Sequence, residues 1–247
     1  MTIYENIKGF IPTSLVDWEG KVASVIFVSG CNFRCGFCSN KELVLTPEKP
    51  KTIKFEDIKK YLLKNADFID GVVISGGEPT LQRELALFCE EIKKLGFMVK
   101  LDSNGSHPEV LKILKEKKLV DYAAMDIKVV KEKYEEITNN KTDLGKIEES
   151  MKIISEFPGY EFRTTVVPVY RKNGEISFMT TEEVCGIAKW IVSVTGGNNH
   201  KYFLQPFVPR ENGLVDSRLE SFPETPKKLL KEMEQEARKH LPNTKIR

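Results

Sequence analysis

The chain has 247 residues, 40% hydrophobic and 30% charged, with 38 Lys and Arg against 36 Asp and Glu. This is the composition of a soluble globular protein with a substantial core. A formal charge of +2 gives no push toward nucleic acid or an anionic membrane, and no apolar run approaches the ~20 residues of a bilayer span. The opening MTIYENIKGF lacks the charged start and apolar centre of an export signal, so a cytoplasmic location and reduced thiols are expected.

No repeat, low-complexity tract or linker divides the chain, which reads as a single domain over 1–247. The first expected strand, 23–29 (ASVIFVS), runs into GCNFRCGFCSN at 30–40, where Cys31, Cys35 and Cys38 are spaced C-x3-C-x2-C. A helix over 55–65 leads to a second strand, 71–75 (GVVIS), which ends in SGGEPT at 75–80. The helix expected over 81–95 places Leu81, Leu85, Phe88, Cys89, Ile92 and Leu95 on one face, fit to cover a sheet. Strands follow at 97–102 (FMVKLD), 121–127 (DYAAMDI), 161–167 (EFRTTVV) and 201–206 (KYFLQP), alternating with helices at 108–118, 142–157, 181–194 and 225–239. Strand and helix repeated six times imply a parallel sheet with right-handed crossovers. Six units are too few to close a (β/α)8 barrel, so the fold class is α/β, an incomplete (β/α)6 barrel with a curved parallel sheet. Such folds place chemistry at the carboxyl ends of strands. The cysteine loop and SGGEPT are therefore expected to face one cavity.

Three thiolates can hold three corners of a [4Fe–4S] cube and leave the fourth iron open to a ligand. Two other readings use the same residues. One is a zinc site completed by a distant His107, His200 or His240. The other is a redox pair of Cys35 and Cys38, which leaves Cys31 unexplained. SGGEPT is neither a P-loop nor a dinucleotide fingerprint. Gly76 and Gly77 permit unusual backbone and close ligand approach, and Glu78 adds a charge beside them. A plain electron carrier or zinc-binding module has no need of such a strand end. Arg163 lies within EFRTTVV, where burial would demand a carboxylate partner.

Together these motifs resemble the radical S-adenosylmethionine superfamily. The resemblance implies a [4Fe–4S] cluster on Cys31, Cys35 and Cys38. It also implies S-adenosylmethionine chelating the open iron, with Gly76, Gly77 and Glu78 at its amino group and Phe37 near its adenine. Residues 9–44, 101–114 (LDSNGSHPEVLKIL) and 120–128 (VDYAAMDIK) further resemble the anaerobic ribonucleoside-triphosphate reductase activating proteins. Ser39, the Gly36-Phe37 pair and Glu19 depart from that family's commoner His, Pro-Tyr and Pro. This likeness implies that Asp102, Ser103, Asp126 and Lys128 line the ligand site and a nearby cation position, with Arg163 in the same cavity. It implies a glycyl-radical enzyme as partner and a low-potential donor such as flavodoxin or ferredoxin. The alternative is a small-molecule enzyme of the superfamily, resembling 7-carboxy-7-deazaguanine synthase.

Other conspicuous residues read as structural. His107 before Pro108 is a helix cap, Cys89 and Cys185 are core residues, and Gln205 ends a strand within reach of solvent. Val208 stands where the resembled family carries a histidine. Trp18 and Trp190 receive no role.

Overall fold

A computed structural model describes residues 2–171, 174–211 and 213–247. The strands are β1 (Ile7–Ser14), β2 (Ala23–Val28), β3 (Gly71–Gly76), β4 (Met98–Ser103), β5 (Tyr122–Asp126), β6 (Tyr160–Val166), β7 (Pro168–Tyr170), β8 (Ile176–Phe178), β9 (Tyr202–Pro206) and β10 (Thr244–Ile246). The α-helices are α1 (Lys41–Leu45), α2 (Phe55–Lys64), α3 (Leu85–Lys94), α4 (Pro108–Glu116), α5 (Tyr134–Thr138), α6 (Leu144–Ile154), α7 (Thr181–Thr195) and α8 (Lys227–Arg238).

Eight strands form one sheet in the order β1-β2-β3-β4-β5-β6-β9-β10, an incomplete barrel. The six expected parallel strands are its middle, β2 through β9. Two edge strands were not anticipated: β1 pairs antiparallel with β2, and β10 pairs parallel with β9. β7 and β8 make a separate antiparallel hairpin.

The two faces of the sheet differ in chemistry. Ile26, Val72, Ile74, Val99, Leu101, Met125, Phe162 and Leu204 are fully buried in the large core shared with the helices. The opposite face carries a small apolar cluster of Trp18, Ala23, Val25 and Val73, with Phe27, Met98 and Tyr122 packed against it. On that face the register runs Val25–Val73–Lys100–Tyr122, and further along Asp126–Arg163–Phe203. The interior of the half-barrel thus passes from apolar to charged. Trp18 supplies its apolar plug, and a Cβ on Gly71 would lie 2.8 Å from the indole.

Helix boundaries follow local chemistry. Asp143 caps α6 by accepting from the Gly145 and Lys146 amides, and Thr180 with Glu183 forms a capping box on α7. The helix expected from Leu81 instead begins at Leu85. Pro79–Leu81 form a 3-10 turn, and Glu84 takes a left-handed conformation that interrupts the α-helical path. Leu81 is accordingly exposed rather than on the buried face.

Candidate active site

The cysteine loop leaves β2 at the carboxyl end of the sheet and is clamped by two segments, the end of α5 and the chain beyond β9. The Arg34 amide donates to Thr138 O (2.7 Å), and Asn140 Nδ2 donates to Asn32 O (2.6 Å). From the chain beyond β9, the Val215 amide donates to Cys38 O and the Asp216 amide to Gly36 O. Within the loop, the Cys38 amide closes a turn on Cys35 O, and the Phe33 amide points at Cys31 Sγ (3.4 Å). Burial pushes the Cys31 thiol up to about 11 and the Cys35 thiol up to about 12, and it raises Cys38 as well. Free thiols here stay protonated at neutral pH, and only a bound cation makes their thiolates favourable.

SGGEPT meets this loop backbone to backbone. The Gly77 amide donates to Val28 O (2.7 Å), the Glu78 amide to Gly30 O (2.8 Å), and Asn40 Nδ2 to Gly76 O (2.8 Å). Gly76 has φ of 115° and its Cβ would fall 2.4 Å from Val28 O; a Cβ on Gly77 would fall 2.0 Å from Gly30 O. Gly76 therefore admits the end of β2 and Gly77 admits Gly30 at the start of the cysteine loop, a backbone contact beyond the close ligand approach expected from the sequence.

Glu78 is 1% exposed, and its carboxylate accepts from the Thr80 amide and hydroxyl, the Ser103 hydroxyl and the Asn104 amide. Burial raises its carboxyl above the ordinary range against the pull of those donors. Its side chain ties the end of β3 to the end of β4. Asn104, which the sequence reading passed over, reaches back to Asn32 Oδ1 (2.9 Å) and points toward Cys31 Sγ (4.0 Å).

A cavity of about 420 Å³ opens above these elements. Every expected site residue lines it: Cys31, Cys35, Cys38, Phe37, Gly76, Gly77, Glu78, Asp102, Ser103, Asp126, Lys128 and Arg163. Arg163 Nε donates to Asp126 Oδ1 (2.9 Å), and Lys128 Nζ donates to Asp126 Oδ2 (3.1 Å). Burial pushes the Asp126 carboxyl upward, but the adjacent Arg163 and Lys128 charges outweigh it and hold it well below the usual range. Lys128 also lies 6.0 Å from the centre of the Phe37 ring. Gln205, expected at the strand end, lines this cavity, as do Thr165 and the exposed Arg210.

Below this layer lie three charged residues that the sequence reading missed. Lys100 and Glu161 are each 1% exposed at the side chain, and Arg247 donates to both Glu161 oxygens (2.6 and 2.8 Å). A signal for two of them was present. Successive inward strands carry charged pairs two residues apart, Lys100–Asp102, Asp126–Lys128 and Glu161–Arg163, and that spacing puts both members of a pair on one face.

The remaining expectations resolve simply. His107 stands at the N-cap of α4 with Pro108 after it, as expected, although its ring bonds Ser106 Oγ and Thr80 Oγ1 and not the helix amides. Cys89 is a fully buried core residue, whereas Cys185 is only half-buried. Trp190 donates to Glu148 on the helical layer and does not itself line the cavity.

The cavity was tested against the two metal readings by its donor set. No histidine lines it: His200 bonds Tyr160 and Thr195, and His240 follows α8. A three-Cys, one-His zinc site therefore has no fourth ligand here. Three thiols with no histidine in the cavity lining among the described residues fit a cluster with one open iron. The same wall holds Asp102 Oδ1, the one buried side-chain oxygen or nitrogen lacking a hydrogen bond among the described residues. Residues 25–181 match the Radical SAM superfamily.

The chain belongs to that superfamily. It is 33% identical over 249 aligned positions to a Methanocaldococcus jannaschii protein named "Putative glycyl-radical enzyme activating enzyme", covering 98% of this chain and 95% of that one. A 7-carboxy-7-deazaguanine synthase of Thermococcus kodakarensis is 30% identical over 141 positions, covering 45% of this chain and 55% of its own. Among solved structures, Streptococcus suis SuiB superposes with a TM-score of 0.62 at 14% identity, over 89% of this chain and 47% of that one. This radical SAM chain therefore spans about half of SuiB and shares its fold. The family implies S-adenosylmethionine and a [4Fe–4S] cluster as cofactors, and the thiol wall fits them.

Proposed function

We propose that this protein activates a glycyl-radical enzyme, with an anaerobic ribonucleoside-triphosphate reductase as the partner and a flavodoxin or ferredoxin as the electron donor. The observation that carries this reading is the extent of the match. Similarity to the M. jannaschii protein runs through 98% of the chain, whereas the T. kodakarensis synthase matches 45%. Likeness beyond the shared cysteine and GGE segments favours an activase over the small-molecule enzyme. That second reading retains support from several synthases matched over partial lengths.

When bound, the cluster and S-adenosylmethionine supply the electron and the 5′-deoxyadenosyl radical that removes hydrogen from a glycine Cα. The chain's own residues bind, orient and exclude. Cys31, Cys35 and Cys38 would hold the cluster on a loop already fixed by clamps from α5 and the segment after β9. Gly77 and Glu78 lock that loop to β3, and Glu78 fixes Ser103 and Asn104 beside it. Phe37, Asp102, Asp126, Lys128 and Arg163 form the wall on which the ligand would be oriented. A preset wall lowers the entropic cost of aligning the ligand with an incoming glycine.

The test combines the protein, S-adenosylmethionine, a strong reductant and the cognate reductase under anaerobic conditions. A glycine-derived electron paramagnetic resonance doublet requiring both proteins is expected, with deuterium passing from Cα-labelled glycine into 5′-deoxyadenosine. Ala at Cys31, Cys35 or Cys38 abolishes iron loading and the doublet, while Cys89→Ala retains both. Adenosyl-radical chemistry that consumes a purine precursor and leaves every candidate reductase without a doublet selects the small-molecule reading.

A further inference from the structure

Arg163 is a buried cavity donor with part of its guanidinium not hydrogen-bonded to the carboxylates around it. Its Nε is bound to Asp126, yet Nη1 lies 3.4 Å from Asp102 Oδ1 and 3.9 Å from Glu161 Oε1 without a hydrogen bond to either. A buried guanidinium beside a buried carboxylate is expected to close on it as a bidentate pair. Glu161 does not capture Arg163 because its oxygens are engaged elsewhere. Arg247 takes both of them and the Tyr122 hydroxyl takes Oε2 (2.9 Å), with Lys100 Nζ 3.8 Å from Oε1. Arg247 is itself fixed: its amide donates to Leu204 O, and its guanidinium lies 3.9 Å from the centre of the Phe203 ring. Among these ion-paired side chains, Lys100, Lys128, Arg163 and Arg247 face only three carboxylates, Asp102, Asp126 and Glu161.

We propose that Arg247 is a positioning residue: by saturating Glu161, a competitor for Arg163, it leaves the Nη1 end of Arg163, which is hydrogen-bonded to neither Asp102 nor Glu161, able to take the carboxylate of a ligand in the cavity. The inference rests on S-adenosylmethionine being that ligand. Neither Arg247 nor Glu161 lines the cavity, so Arg247 acts through Glu161 and Arg163.

The test measures S-adenosylmethionine affinity by anaerobic equilibrium dialysis of the reconstituted full chain, with iron content and melting temperature recorded alongside. Arg247→Met strips Glu161 of its partner, lets it draw Arg163 away, and should weaken binding about tenfold with iron content unchanged. Arg247→Lys should fall between. The double variant Glu161→Gln, Arg247→Met removes the competitor as well and should return affinity to within about threefold of the original protein. A merely structural role predicts the opposite, a double variant binding no better than Arg247→Met with affinity tracking melting temperature, and that result overturns the proposal. So does unchanged affinity in Arg247→Met. Should that variant fail to fold, Glu161→Gln alone decides: it should bind within about twofold of the original, and weaker binding by a folded, iron-replete sample overturns the proposal. An original protein that loads iron but binds no S-adenosylmethionine refutes the underlying cavity reading, and this inference with it.

Discussion

Replacing Gly77 by Ala adds one methyl group at the most crowded backbone contact of the site. The new Cβ would sit 2.0 Å from Gly30 O and 2.6 Å from Gly30 C, so the Gly30 carbonyl must retreat by about 1 Å. That carbonyl accepts the Glu78 amide at 2.8 Å, and the next residue is Cys31. Losing a buried hydrogen bond costs about 1–3 kcal/mol and overpacking adds about 1–3 kcal/mol. A destabilisation of about 3 kcal/mol lowers the melting temperature of a chain this size by about 6–12 °C. The displacement falls on the cysteine loop, so iron loading should drop along with stability. Anaerobic iron and sulfide analysis, paired with thermal melts of the reconstituted protein, reads both effects. If Gly77→Ala loads a full cluster at unchanged stability and only its S-adenosylmethionine affinity falls, the glycine serves the ligand and the reasoning from loop contact is refuted.

Two further outcomes follow from the barrel interior. Trp18→Ala empties the apolar plug beneath the charged layer and should cost about 3–5 kcal/mol, lowering the melting temperature by about 10 °C while iron content stays the same; an unchanged melt would show that the plug relaxes without loss. Burial raises the Glu161 carboxyl, but the Arg247 hydrogen bonds with Lys100 and Arg163 outweigh it and hold the group below its ordinary value. The stability it contributes is fully present above the unfolded value near ~4.3 and is lost as pH falls through the lower folded value, so urea titrations should show an acid-side decline that Glu161→Gln flattens. An equally steep decline in that variant would place the acid sensitivity elsewhere.

Much of this arrangement was legible in the residues. The six middle strands and their helices carry their periodicities openly, and the C-x3-C-x2-C loop followed by SGGEPT marks one cavity because both end parallel strands. The edge strands β1 and β10 were missed because IKGFIPTS is interrupted by Gly9 and Pro12, and TKI is only three residues long. The backbone contact of Gly77 with Gly30 was not legible, because a strand-end glycine reads alike whether a ligand or another backbone lies against it. Glu161 was passed over because it opens its expected strand and reads as a boundary, and Lys100 because a single charge within the expected strand 97–102 carries no signal of burial. Arg247 gave no local signal, since its partner lies 86 positions away and only the β9–β10 pairing brings them together.

The charged half of the barrel interior bears on why these residues are present at all. Buried ion pairs are poor stabilisers, because desolvating both partners consumes most of what their attraction returns, and apolar replacements of similar volume are often as stable. The lower interior shows that this chain can fill the same face with Val25, Val73 and Trp18. A stability requirement alone would extend that apolar packing upward. Instead, three adjacent strands carry acid and base in alternate positions up to the level of the thiols, ending at Asp126, Lys128 and the open fork of Arg163. This layer would present the proposed ligand with a fixed set of charges, held in place so that little reorganisation is needed on binding. Its lower members, Lys100, Glu161 and Arg247, never reach the cavity lining, and they earn their place by keeping the upper members from collapsing onto one another.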